Sequence, residues 1–280
     1  MKIDYESTYK NKNHFSFGKN WQDFLKILNN ERIKEAKKSL ASFLGDKNKI
    51  KGKSFVDIGC GSGLFSLAAY LLGAKKIISV DIDDFSIACT KYLKEREKNP
   101  KNWEVKKGSA LDEKFIKSLG KFDIVYSWGV LHHTGDMHKA FENVIKLLAP
   151  KSIFFLAIYN KNRGEKALLV GSSDFWLKIK RFYNHASRLG KRTIESLYYL
   201  YFTLGYLIMF RNPFSYMRNY AKNRGMSFHH DVVDWLGGYP YEYATPEEII
   251  DYFGKKDILC KKLIFRNGIS CNEYLLINSN

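Results

Sequence analysis

Short apolar runs alternate with stretches of helical period from about residue 54 to residue 159, and this alternation predicts the core of the chain. Phe55, Val56 and Ile58 form a run too short for a helix and suited to a strand buried on both faces. Residues 77–82 (IISVDI) predict a second buried strand, 103–107 a third, 122–127 a fourth and 153–159 (IFFLAIY) a fifth. Helices are expected between them, at 64–72 after the first strand and at 137–148 after the fourth, the latter stopped by Pro150. Strands and helices in this order call for a doubly wound, mostly parallel α/β sheet.

The flanks follow other patterns. Residues 1–50 form an N-terminal helical extension. One helix is expected within 17–28, with Phe24, Leu25 and Leu28 apolar, and a second over 33–44, with Ala36, Leu40 and Leu44 on one face. The domain proper is expected over 51–280, with a long insertion at 160–244 where the alternation breaks. A clean helix start follows: Thr245 is placed as N-cap, Pro246 at the first helical position and Glu248 three after the cap, a capping box. Residues 258–265 and 272–277 supply two last strands.

The densest chemistry lies at 54–69, SFVDIGCGSGLFSLAA. A strand ending near Asp57, a loop with Gly59, Gly61 and Gly63, and a helix start bring bare backbone close to a ligand. Leu64 stands where the dinucleotide fingerprint G-x-G-x-x-G needs its third glycine, and no Gly-Lys-Ser/Thr is present to make a P-loop. Asp81 lies about 20 residues past the loop, where an acidic residue at a strand end binds ribose hydroxyls in nucleotide-binding sheets. The spacing Asp-x-Gly-x-Gly-x-Gly at 57–63 resembles motif I of the class I S-adenosylmethionine (SAM)-dependent methyltransferases. WGVLHHTGDM (128–137) resembles the segment after the fourth strand in ubiquinone/menaquinone-biosynthesis-type members. The resemblance covers roughly residues 50–160.

The resemblance implies a seven-stranded Rossmann-like sheet with a late hairpin, SAM as cofactor, and an insertion after the fifth strand that carries acceptor specificity. The cofactor residues it implies are Asp57, Gly59, Gly61, Asp81, Ile82, Ser109, Ala110 and Ser127. Gly59 and Gly61 approach the methionine part, Asp81 accepts from the ribose, Ile82 packs on adenine, and Ser109 and Ala110 border its edge. Many relatives have an acid where Ser109 stands, which leaves the adenine amine to Asp112 or to backbone. N-terminal helices in this family often lie over the cofactor, and Phe17, Gly18 and Trp21 are the lid candidates, with plain packing on the sheet the alternative.

Methyl transfer needs alignment of acceptor, methyl and sulfur, and a base when the acceptor carries a proton. Histidines stand at 132–133 after the fourth strand and at 229–230 in the insertion. His132 and His230 are the members expected to face the acceptor, with Asp231 or Asp234 to orient the second pair. A metal site from His229, His230 and Asp231 is not expected, because adjacent residues rarely point at one ion.

Composition narrows the partners. The 280 residues are 45% hydrophobic, enough for one sizeable core. The four cysteines are scattered without C-x-x-C, which fits a reduced, cytoplasmic enzyme. Net charge is +17, and residues 151–225 hold 14 Lys/Arg against 3 Asp/Glu together with 16 of the 43 aromatics. That balance suits an aromatic, lipid-like or anionic small-molecule acceptor, or a solvated surface over an aromatic core. An RNA methyltransferase is the second reading, and a non-catalytic SAM-binding interaction protein the third. The longest uncharged apolar stretch, 196–210, would span about 22 Å as a helix, short of a bilayer core of about 30 Å. It is expected as a buried or capping helix, with at most a weak membrane-surface contact through Lys191, Arg192 and Arg211. Nothing in the sequence speaks to the oligomeric state.

Overall fold

The strands β1 (Ser54–Ile58), β2 (Lys76–Asp81), β3 (Trp103–Lys107), β4 (Phe122–Trp128), β5 (Leu148–Tyr159), β6 (Ile258–Ile264) and β7 (Cys271–Asn278) form one sheet in the order β3-β2-β1-β4-β5-β7-β6. This computed structural model describes residues 17–46, 49–162, 171–224 and 228–279, with side chains except at 19, 20, 219, 221–224 and 230. β1 to β5 are parallel, and β7 runs antiparallel between β5 and β6. The expected late hairpin is therefore present. Strand order reverses between β1 and β4, so the carboxyl ends of β1, β2 and β4 open onto the switch-point crevice where α/β sheets bind ligands.

Helices cover both faces. On one side α1 (Gly18–Lys26), α2 (Asn30–Leu44), α3 (Leu64–Leu71) and α4 (Asp84–Arg96) are present. Ala36, Leu40 and Leu44 of α2 are buried in a core with Phe55, Leu67 and Trp103. On the other face, α5 (Glu113–Ser118), α6 (Met137–Ile145) and α11 (Pro246–Gly254) bury Ile116, Phe141 and Phe253 against Val56, Val125 and Leu156. The capping box of α11 forms as expected: the Glu248 amide donates to Thr245 Oγ1 at 3.2 Å, and the Thr245 amide donates to Glu248 Oε2 at 2.9 Å.

Two elements differ from the sequence expectation. β5 starts at Leu148 rather than at 153, and α6 ends at Ile145. Leu148 pairs with Phe122, but Ile153 pairs with Ile124, so residues 149–152 bulge out of the ladder. Pro150 sits in that bulge and has no ladder bond to donate, so it interrupts the strand without ending it.

The second difference lies in the insertion. It carries α7 (Ser173–His185), α8 (Arg188–Ile208), α9 (Pro213–Arg224) and α10 (Phe228–Gly237). A third apolar cluster of Trp176, Tyr183, Val232, Leu236 and Tyr241 joins these helices to the carboxyl end of β5 at Tyr159. The apolar stretch 196–210 falls in α8 and the turn after it, but α8 has no buried residue. One face packs on α7, α9 and α10, and the opposite face points to solvent. Of the two alternatives expected there, a buried or a capping helix, the buried one is not observed. Among the described residues no helix is long and apolar enough to cross a membrane.

Candidate active site

The glycine loop is bound to the end of β2 through main-chain hydrogen bonds. The amides of Gly59 and Cys60 both donate to the Val80 carbonyl, at 2.8 and 3.0 Å. The Gly61 amide donates to Asp81 Oδ2 at 2.9 Å, and the Asp83 amide to Asp81 Oδ1 at 2.9 Å. The positions tolerate only glycine for two reasons. Gly59 and Gly61 have φ of +79° and +52°, in the left-handed region that L side chains avoid. A Cβ on Gly59 would also stand 2.3 Å from Val130 Cγ2.

The two acidic residues play different parts. Asp57 is 2% exposed, and its Oδ2 accepts from the Ser66 hydroxyl at 2.6 Å, so it ties β1 to the first turn of α3. Burial, with Asp81 nearby adding to it, raises the Asp57 carboxyl to about 7. Burial also raises Asp81 to about 6, against the lowering effect of its amide donors. A carboxylate has about four acceptor positions, so Asp81 can take further donors beside its two amides. Ile82, the next residue, is 64% exposed and offers an apolar shelf at the rim.

The remaining predicted cofactor residues surround this point. Ser109 Oγ accepts from the Leu111 amide at 3.1 Å, and the buried Ala110 gives its carbonyl to Asn143 Nδ2 at 2.9 Å. The Ser127 side chain is fully buried and donates to the Ile58 carbonyl at 3.0 Å, which ties the ends of β4 and β1 together. Asp112 spends Oδ1 on the Phe115 amide as the N-cap of α5. A bare glycine cradle, a half-buried carboxylate with acceptor capacity and an exposed apolar shelf beside it are the features a nucleoside-bearing methionine derivative requires, so these residues fit SAM.

The N-terminal helix closes over the loop. A Cβ on Gly61 would be 3.0 Å from the Trp21 indole. A Cβ on Gly18 would be 1.9 Å from Asp83 Oδ1, so only glycine lets α1 lie on that turn. The Phe17 ring stands 5.1 Å from the His133 ring. Phe17, Gly18 and Trp21, the three lid candidates, thus stand against three parts of the site.

The histidines after β4 separate by tautomer. His132 is fully buried, and its Nδ1 accepts from the Tyr159 amide at 3.3 Å. With that lone pair engaged, the neutral ring carries its proton on Nε2, which is buried with no partner among the described residues. Burial holds its pKa well below the usual histidine range. His133 is half-buried, and its Nδ1 lies 2.5 Å from the Pro240 carbonyl oxygen. A carbonyl only accepts, so Nδ1 carries the proton and Nε2 is the basic nitrogen of this ring. The Glu242 carboxylate steadies the loop by accepting from the amides of Gly135 and Met137, each at 3.1 Å.

Asp231 and His229 face neighbouring helices of the insertion, while the Asp234 carbonyl and the His133 ring both border Gly238. Asp231 accepts from the Tyr220 hydroxyl of α9, and His229 Nδ1 lies 2.9 Å from the Tyr199 hydroxyl of α8. The side chain of His230 lies outside the described residues. Among the described residues no group of three metal-ligating side chains comes together.

One residue had no signal in the sequence. Lys180 of α7 is fully buried behind this loop, donates to the Trp235 carbonyl, and places Nζ 3.8 Å from the Trp235 ring centroid and 4.8 Å from that of Tyr241. Burial pushes its ammonium down to about 7, opposed by Asp234. Below pH 7 the folded state carries a buried charge at a cost. As pH rises from about 7 toward the ordinary lysine value, the unfolded state holds more protons and stability rises. The stability gain of the native protein over Lys180→Met across that window is therefore expected to be positive; thermal melts in which the two proteins show the same pH dependence would contradict it.

The family model described as "Methyltransferase domain" matches residues 49–189. A curated relative, the ubiquinone biosynthesis O-methyltransferase of Pelagibacter ubique, is 26% identical over 129 residues, covering 46% of this chain and 51% of the relative. The chain spans about half the length of that relative and less of the ribosomal protein L11 methyltransferases that follow it. PKMT2 from Rickettsia typhi in complex with AdoHcy superposes with a TM-score of 0.56 at 18% identity, over 82% of this chain and 51% of that one. Magnesium protoporphyrin IX methyltransferase from Synechocystis PCC 6803 with bound SAH does so with a TM-score of 0.53 at 13% identity, over 93% and 95%. Those two likenesses establish the fold. With the family model matching half of its length, from the strand before the glycine loop into the insertion, the chain belongs to the methyltransferase domain family.

Proposed function

We propose that the chain transfers a methyl group from SAM to an oxygen or nitrogen atom of a small-molecule acceptor. The observation that carries this reading is the junction of the glycine loop with Asp81, where one carboxylate fixes the loop amide and still has acceptor positions for ribose hydroxyls. When bound, SAM supplies an electrophilic methyl group and a neutral thioether leaving group. Gly59 and Gly61 give bare backbone to the methionine part, Ile82 covers adenine, and Ser109 and Ala110 form its edge. Asp57 acts by holding the loop through Ser66, and Ser127 by locking β4 to β1.

The acceptor side is formed on this reading by Phe17, His133 and described residues of the insertion. The rings of Tyr159, Trp235 and Tyr241 lie there, with Lys180 buried among them. That lining suits an aromatic, lipid-like or anionic acceptor, and one relative is named for ubiquinone biosynthesis. His133 is the residue we assign as proton acceptor, because its Nδ1 donates to a carbonyl and leaves Nε2 basic. His132 is oriented the opposite way and is assigned to positioning.

Calorimetric titration with SAM and S-adenosylhomocysteine tests the donor half, and a screen of acceptor pools with radiolabelled SAM tests the acceptor half. The titration carries a pH signature. SAM is a cation at sulfur, and both its charge and its ribose hydroxyls favour ionised Asp57 and Asp81. Those groups sit at about 7 and about 6 in the free protein, so binding expels protons. Affinity is expected to rise from pH of about 5 to about 7 and then level off. Affinity that is flat or falls over that range would contradict the assignment.

A further inference from the structure

α8 does not have the surface of an ordinary outer helix. Its inner face packs through Tyr198 on Trp176, 5.9 Å between ring centroids, and through Phe202 on Phe228, 4.7 Å. The outer face of such a helix is normally polar. Here Leu197, Leu200, Tyr201, Leu204, Leu207 and Ile208 recur at helical spacing and are between 49% and 77% exposed. The stripe runs on through the turn before α9, where Phe210 is fully exposed, to the start of α9, where Phe214 is 70% exposed. A contiguous patch of this kind on a protein surface marks an interaction site.

The charges around the stripe identify what covers it. Arg188, Lys191 and Arg192 stand at one end and Arg211 at the other, with Arg218 on the adjoining α9. The single acid between residues 188 and 218 is Glu195, and it accepts from the Tyr183 hydroxyl of α7. A second copy docked on this face would set like charges against each other at one or both ends. An anionic lipid surface meets both requirements: headgroups for the arginines and acyl chains for the leucines and Phe210.

We propose that α8 and the α8–α9 turn form a docking surface for an anionic bilayer, with α8 lying in the plane of the interface rather than crossing it. A row of rings leads inward from this face. Tyr198 meets Trp176, Trp176 meets Trp235 at 5.2 Å, Trp235 meets Tyr159 at 6.0 Å, and Tyr159 meets His133 at 5.5 Å. The surface thus belongs to the same packed unit as the acceptor side, and a lipid-like acceptor would be drawn from the membrane it touches. Docking itself does not depend on methyl transfer, so vesicle binding and SAM binding can fail separately.

The test is flotation of the full chain with vesicles of phosphatidylcholine alone and of phosphatidylcholine mixed with phosphatidylglycerol. The variants are Leu204→Glu, Phe210→Glu and the pair Arg192→Gln with Arg211→Gln, all at exposed positions, with SAM titration as the check that each is folded. The native protein is expected to float with the mixed vesicles and not with the neutral ones, and to be released by salt. Each glutamate variant is expected to bind at least about tenfold more weakly, as is the paired glutamine variant, while SAM affinity is unchanged. Failure of the native protein to float with the mixed vesicles overturns the proposal. So does vesicle binding that Leu204→Glu and Phe210→Glu leave intact, or a dimer in sedimentation velocity that Leu204→Glu splits while vesicles are ignored.

Discussion

Asp81→Ala is expected to weaken SAM binding by about 10²–10⁴-fold in a protein that still folds. The carboxylate would lose two charge-assisted hydrogen bonds to the ribose, each worth roughly 1.5–3 kcal/mol. The Gly61 amide would also lose the acceptor that holds it at 2.9 Å, so the loop loses its anchor at the same time. Asp81→Asn separates the two effects. The amide oxygen can still accept from Gly61, but the charge is gone, so the loop should stay ordered while affinity remains low. Calorimetry showing unchanged SAM affinity in folded Asp81→Ala would remove the cofactor assignment.

His133→Ala is expected to lower turnover by about 10²–10⁴-fold when the acceptor carries a proton, with SAM affinity kept. His132→Ala should behave differently. Its ring fills a buried position 4.1 Å from Tyr159, so the loss should appear first in thermal stability. The two variants are compared by single-turnover kinetics and by melting. Turnover near wild type in His133→Ala means that no histidine base is used at this position, and that proximity carries a reaction on an already deprotonated acceptor.

Much of the fold could be read from the sequence because its signals are local. Short apolar runs identify strands buried on both faces, as in β1, where all five residues are buried, and the separate expectation of an edge strand at 103–107 matches β3 residue for residue. The capping box at Thr245 needs only three neighbours in the chain to be recognised. The extent of β5 was not local. Its start depends on pairing with Phe122, and Pro150 reads as a terminator until that partner is known. The site divides in the same way. Gly59, Gly61 and Asp81 follow from a motif, whereas the choice between His132 and His133 depends on Tyr159 and Pro240, residues 27 and 107 positions away. Lys180 gives no pattern at all, since one basic residue in a basic helix reads as solvated. Only its contacts with Trp235 and Tyr241 place it inside.

The position of α1 has a kinetic consequence. Trp21 rests on Gly61 and Phe17 on His133, so one short helix touches the donor side and the acceptor side together. On the proposed function, a ligand on the glycine loop would leave once α1 lifts, and lifting α1 would uncover both sides at once. Residence time would then follow the opening rate of this helix rather than the strength of the hydrogen bonds beneath it. Spent donor and methylated product would leave through a single shared opening event, with the Trp21 indole as its built-in fluorescent reporter.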